Sequence, residues 1–152
     1  MTTQATSTET ERQAGALVTC SARLVRAVSR RTAQDFPAAT LRLLSQIEEL
    51  GPVGVSQLAV ADRCSQPTMS AAVKHLTDKG WARKDANPED ARSCLVTLTP
   101  EGRAVLGEAR RRSAAVVADR LAADPRHTEA DLRSAVTLIQ HLLERIPDEG
   151  NQ

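Results

Sequence analysis

LAVADRCSQPTMSAAVKHLTDKGWARKDANPEDARSCLVTLTPEG, residues 58–102, is the stretch on which the fold turns. Ser56, just before it, is placed to cap a short helix that runs to about Asp62 and buries Leu58 and Ala59. Arg63-Cys64 then make a tight turn. Ser65 is a good cap for a second helix, with Pro67 in its first turn. Met69, Val73 and Leu76, with Ala72, recur at three- and four-residue steps, so one face of this helix is apolar. Gly80 ends it. Trp81–Asp85 and Cys94–Thr99 read as paired strands, the second β-rich through Leu95-Val96-Thr97-Leu98. The polar loop Ala86–Ser93 between them holds a turn-forming Asn87-Pro88.

Short helix, tight turn and second helix form a helix-turn-helix, whose second helix enters a DNA major groove. With Met69, Val73 and Leu76 turned inward, Gln66, Thr68, Ser70, Ala71, Lys74 and His75 occupy the open face, with Ser65 and Pro67 at its entry. Gln and Lys read base edges, Ser and Thr reach bases or phosphates, and Ala packs on a thymine methyl. The following hairpin is expected to be a wing. Arg92 near its tip is a long cation suited to a narrow minor groove, and Asp90 is placed to hold the loop or orient Arg92. Arg83 and Lys84 on the first strand are candidates for phosphate contact. A solvated polar face is the simpler reading of an isolated amphipathic helix; the cap, the turn and the hairpin at the right offsets favour the DNA-binding one.

Outward from this unit, both flanks read as helical. Residues 1–12 are Thr-, Ser-, Gln- and Glu-rich and are expected to form a tail without structure. Leu17, Leu24 and Val28, with Cys20 and Ala27, mark a helix over about 13–34. Phe36-Pro37 starts the next, whose stripe is Leu41, Leu44, Ile47 and Leu50, and Gly51-Pro52 stops it. Val53-Gly54-Val55 is long enough only for a minor strand. On the other side Thr99-Pro100-Glu101 opens a long helix to about Asp124. Thr128 and Asp131 then resemble a capping box for a last helix, stopped by Pro147. Its Leu132, Ala135, Val136, Ile139, Leu142, Leu143 and Ile146 make a face too apolar for a chain-end helix in water, which argues for a second copy against it. The expected fold is mainly α with a small β-hairpin wing. It is one domain over 13–146, with a winged helix-turn-helix at about 53–100, dimerisation helices at about 13–34 and 100–146, and a tail at 147–152.

Composition narrows the function. Charged residues are 26% and the formal net charge is +1, so any nucleic-acid site must come from local clustering. One Trp, one Phe and no Tyr leave no stacking platform for single strands or RNA loops. No apolar run reaches the roughly 18 residues of a membrane span and no signal segment opens the chain, so a cytoplasmic protein with no membrane partner is expected. Cys20, Cys64 and Cys94 fit free thiols. His75, His127 and His141 are scattered, so no metal site or cofactor is expected. Lacking a nucleophile–base pair, a carboxylate pair or a phosphate-cradling Gly loop, the chain does not read as an enzyme.

Residues 58–103 resemble the winged helix of the MarR family of bacterial transcriptional regulators. The likeness rests on Leu58-Ala59, Leu76 and Gly80, Arg83, Asp90-x-Arg92, and Leu98-Thr99-x-x-Gly102-Arg103, and the flanking helices match in length and order. The resemblance implies a homodimer on a pseudo-palindromic double-stranded operator. The first and last two helices would form the interface, here through Leu17, Leu121, Leu132, Val136, Ile139, Leu142, Leu143 and Ile146. It also implies release by a small anionic or phenolic effector, or by cysteine oxidation, and a pocket between dimer helices and winged lobe; Cys20, Arg23, Leu24 and Phe36 are the candidate lining. The chain departs from the pattern at Ala91, where the wing usually carries a base, and in having no tyrosine to accompany Cys20. The expected function is therefore a dimeric, ligand- or redox-responsive repressor. The other reading is a winged-helix protein-interaction module that has lost DNA binding, favoured by the near-neutral charge and opposed by Lys74, Arg83 and Arg92.

Overall fold

A computed structural model describes residues 2–32, 36–90 and 92–146, with side chains from residue 8. Among these residues six helices and three short strands follow in the order α1 (Thr2–Thr32), α2 (Ala38–Leu50), β1 (Val53–Gly54), α3 (Val55–Ala61), α4 (Gln66–Asp78), β2 (Ala82–Ala86), β3 (Cys94–Leu98), α5 (Pro100–Ala122) and α6 (Glu129–Arg145). The expected mainly α architecture with a β wing is what the chain adopts.

Two expectations about chain order need correction. Residues 2–12 are not a separate tail but the first turns of α1. Glu9 supports that extension locally, accepting from Arg12 at 2.6 and 2.9 Å and from Gln13 at 2.9 Å. Such i,i+3 and i,i+4 pairs hold a polar helix with no buried face. The cap of α3 is Gly54 rather than Ser56, because Gly54 is the last residue of the β1 ladder and the chain turns into helix at Val55. Gln57 Oε1 accepts the Gly54 N–H at 3.0 Å, which satisfies a donor that the helix leaves open. The expected tail at 147–152 lies outside the described residues.

The core belongs to the central lobe. Leu44, Ile47, Leu58, Val73, Leu76 and Val96 are almost wholly removed from water, and Leu43, Val53, Met69, Ala82, Leu98 and Leu106 join them. Each large aliphatic chain so buried contributes about 1.5–3 kcal/mol relative to exposure. The strands form one antiparallel sheet in the order β1-β3-β2, so Val53-Gly54 is a true third strand, with Val53 opposite Val96. In the wing ladder Ala82 faces Leu98, Arg83 faces Thr97 and Lys84 faces Val96. The two-residue alternation therefore puts Arg83 and Lys84 on opposite faces of the hairpin.

Candidate nucleic-acid interface

The helix-turn-helix is fixed at its turn and at both ends. Asp62 closes α3, and Arg63 follows with a φ of +50°. That left-handed residue lets the chain reverse within one step before Ser65 caps α4. Ser65 Oγ accepts the Thr68 N–H at 3.3 Å and shares a 2.8 Å hydrogen bond with Thr68 Oγ1. Arg42 of α2 grips Asp62 with two hydrogen bonds of 2.6 and 3.2 Å, and Gln46 adds a third at 3.4 Å. The Arg42 guanidinium holds the Asp62 carboxyl below the usual aspartate range. The turn is thereby tied to the lobe from outside the motif.

At the far end of α4, Gly80 has a φ of +73°, which favours a residue without Cβ. Thr99 then joins the helix-turn-helix to α5. Its hydroxyl donates to the Gly80 carbonyl at 2.6 Å and accepts the Gly102 N–H at 3.0 Å, while its own N–H donates to Trp81 O at 3.1 Å. Gly102 packs so tightly that a Cβ there would lie 1.9 Å from Trp81 O. The expected cap at Thr99 is thus also a joint between α4, β2 and α5. Phe36 packs edge-on against Trp81, with ring centroids 5.7 Å apart.

On α4, Met69, Val73 and Leu76 are buried while Gln66, Pro67, Thr68, Ala71, Lys74 and His75 are exposed and Ser70 is half-buried. Ser65 at the entry is exposed too. Lys74 does not stand free: its Nζ lies 2.7 Å from Asp78 Oδ2. On the wing, Arg83 Nε lies 2.9 Å from Asp85 Oδ2, which also accepts from Thr97 Oγ1 at 3.2 Å. The arginine and the threonine hydroxyl together hold the Asp85 carboxyl below its ordinary range. At the tip, Asp90 Oδ1 accepts the Arg92 backbone N–H at 2.9 Å, so Asp90 shapes the loop through the main chain. Asn87 and Ser93 close the loop below it, side chain to side chain at 2.9 Å. Arg92 and Lys84 are exposed, and neither has a carboxylate partner among the described residues. Position 91, where the chain departs from the family pattern, lies outside the described residues.

The candidate effector residues are not brought together as one lining. Arg23 and Leu24 border a shallow groove along α1 with Arg26, Ala27 and Arg30. Leu24 also borders a larger apolar groove of about 550 Å³ between α1, α5 and α6, lined by Val28, Val117, Leu132 and Val136 among others. Cys20 is exposed and borders neither, and Phe36 packs on Trp81 instead. The three- and four-residue spacing of apolar residues along α1 indicates the Leu24–Val28 stripe. The α5 and α6 lining depends on how three helices cross, which no local pattern in the sequence encodes. Among the described residues no group of His, Cys, Asp and Glu is arranged to hold a metal ion, and no helix is long and apolar enough to cross a membrane.

A buried-faced second helix behind a tight turn, followed by a hairpin, gives the chain a winged helix-turn-helix fold. Residues 36–94, from the start of α2 to the return strand of the wing, match the MarR family model. A helix-turn-helix transcriptional regulator of Mycobacterium tuberculosis is 29% identical over 137 aligned residues, spanning 77% of this chain and 96% of its own. The solved structure of apo MarR from Escherichia coli superposes with a TM-score of 0.64 at 20% identity, over 88% of this chain and 95% of that one. The transcriptional regulator Tm0710 of Thermotoga maritima superposes at 0.71 and 19% identity, over 88% and 96%. The chain is thus similar to MarR-family regulators, through its central lobe in sequence and over most of its length in fold.

Proposed function

We propose that the chain acts as a homodimer on a pseudo-palindromic operator and represses transcription until a small anionic or phenolic effector, or oxidation, releases it. The observation that carries DNA recognition is the division of α4: three side chains buried in the core, and Gln66, Thr68, Ala71, Lys74 and His75 open to solvent beside the wing. Gln66, Thr68, Ser70 and Lys74 read the major groove, and Arg92 anchors the wing in the adjacent minor groove. Arg83 and Lys84 approach phosphates from the two faces of the hairpin.

Dimerisation is supported by α6, which has no buried residue. Leu132, Val136, Leu138, Ile139, Leu142, Leu143 and Ile146 are all between 37 and 67% exposed, an apolar area that a lone soluble chain seldom leaves in water. Leu17 and Leu121 are half-buried already and would border that interface. A second copy there also gives two α4 helices to place about 34 Å apart on successive major grooves. The apolar groove that α6 shares with α1 and α5 supports an effector site whose occupation alters that spacing. The ion pairs on Lys74 and Arg83 favour, to a lesser degree, a winged-helix interaction module.

The test is binding to labelled duplexes from the DNA flanking the protein's own gene. A salt-sensitive shift on one fragment over a scrambled duplex is expected. Equal binding to all fragments, or none, sinks the operator reading and leaves the interaction module.

A further inference from the structure

Four cations border the proposed DNA surface, and they fall into two kinds. Lys74 and Arg83 are each held by a carboxylate of their own element, at 2.7 and 2.9 Å, while Lys84 and Arg92 have no carboxylate partner among the described residues. The pairs are poorly explained as stabilising devices. Both lie in water, with side-chain exposures of 71 and 60% for Lys74 and Asp78, and 59 and 48% for Arg83 and Asp85. Exposed pairs of this kind add little to folding. On α4 the lysine precedes the aspartate, the weaker order for an i,i+4 pair, and Asp78 sits in the last helical turn, where the dipole disfavours an anion. On β2, Asp85 is a residue type that strands disfavour, yet its carboxylate is also engaged by Thr97 of the neighbouring strand. Both acids thus stand where local structure gains little from them, each beside a cation facing the proposed interface. The unit over residues 53–99 holds six Lys and Arg against five Asp and Glu, so two withheld cations are a large share of its positive charge.

We propose that Asp85 and Asp78 mask Arg83 and Lys74, restraining the sequence-independent binding of the winged helix to DNA phosphates. The proposal rests on the DNA-contact reading above. Binding without sequence preference is almost wholly electrostatic and grows with the number of phosphates neutralised. A phosphate must displace Asp85 to reach Arg83, and Asp78 to reach Lys74. Lys84 and Arg92 carry the general affinity, and the masked pair engage only where a well-seated complex holds a phosphate or base edge in place of the carboxylate. A regulator competing with a genome of non-target sites gains from such restraint, because specificity is a difference between affinities.

The experiment is fluorescence anisotropy of the full chain with a labelled random-sequence duplex across a salt series. It compares wild type, Asp85→Asn, Arg83→Gln and the double variant, with Glu89→Gln as a charge-matched change on the exposed wing loop. Asp85→Asn is expected to tighten binding about three- to fivefold and to steepen the log–log salt dependence by about 0.9. Arg83→Gln alone should change binding less than about twofold, and the double variant should lose the gain. Glu89→Gln, made alone and together with Arg83→Gln, should show no coupling to Arg83. A gain that survives in the Arg83→Gln background overturns the proposal, since it would reflect only the removal of an acid from near phosphates. Weaker binding by Asp85→Asn overturns it as well, because Asp85 would then be aiming Arg83. If Asp85→Asn does not fold, Asp78→Asn against Lys74→Gln decides by the same coupling. Failure of every form, wild type included, to bind any duplex at low salt removes the DNA-contact reading itself, whereas wild-type binding with no coupling removes only the masking.

Discussion

Single residues carry two distinct kinds of work in this protein. Gly102 is steric: with a Cβ placed 1.9 Å from a backbone oxygen, Gly102→Ala must push α5 away from Trp81. Loss of about 3 kcal/mol is expected, read as a lower urea midpoint at an unchanged slope. Arg92 and Lys74 are exposed and take no part in the core, and the proposed DNA-contact reading gives them recognition instead. Arg92→Ala should weaken binding to every duplex alike and leave the melting temperature unchanged. Lys74→Ala should also change which sequences are preferred, as selection from a randomised duplex pool would show. The Asp90-x-Arg92 spacing and the α4 face were legible in the sequence because each follows from a local period or turn. That Lys74 and Arg83 are paired was not. Each acid stands close to its cation in sequence, at i,i+4 and i,i+2 spacing, but spacing does not say that the pair closes, and Thr97 meets Asp85 only because the register sets Arg83 opposite Thr97.

Among the elements, the contact between α2 and the end of α3 ties the turn of the helix-turn-helix to the lobe. Asp62 titrates below the usual aspartate range because Arg42 holds its carboxylate, with the Gln46 amide adding to the effect. A carboxyl whose folded pKa is depressed contributes stability that is fully present above its unfolded value near 3.9 and lost as pH falls through the lower folded value. Thermal melts of wild type against Asp62→Asn should therefore be fully separated above the unfolded value near 3.9 and converge as pH falls through the lower folded value. An unchanged gap across that range would show that the pair adds nothing to stability. The Arg42 partner is twenty residues from Asp62, which is why helix spacing and capping rules, reading only neighbours, could place Asp62 at a helix end but not name what holds it. The misplaced cap at Ser56 has the same origin. The choice of Gly54 follows from pairing of β1 with β3, some forty residues on.

For the molecule as a whole, the buried core lies almost entirely within the winged lobe, while α6 has no buried residue and α1 carries exposed Val18, Leu24 and Val25. A chain of 16.4 kDa built this way is expected to elute with light scattering at twice that mass. Ile139→Asp with Leu142→Asp should return it to a single chain and abolish high-affinity operator binding, while far-UV circular dichroism keeps the winged lobe's signal. A dimeric double variant would move the interface elsewhere.

The sequence by itself determined the elements and their order: the caps at Ser65, Thr99 and Thr128, the stops at Gly51 and Gly80, and the buried stripe of α4 all follow from interactions within a turn or two of chain. It also marked which face of α4 is open, because burying one side of a helix fixes the other. Tertiary structure alone decided the pairing of the third strand, the Thr99 joint among α4, β2 and α5, the Arg42 grip on the turn, the scattering of Cys20 and Phe36 away from the apolar groove, and the Thr97 hydrogen bond to Asp85. Those contacts depend on where segments distant in the chain meet, and that is set by the packing of the whole lobe rather than by any period a stretch of sequence can carry.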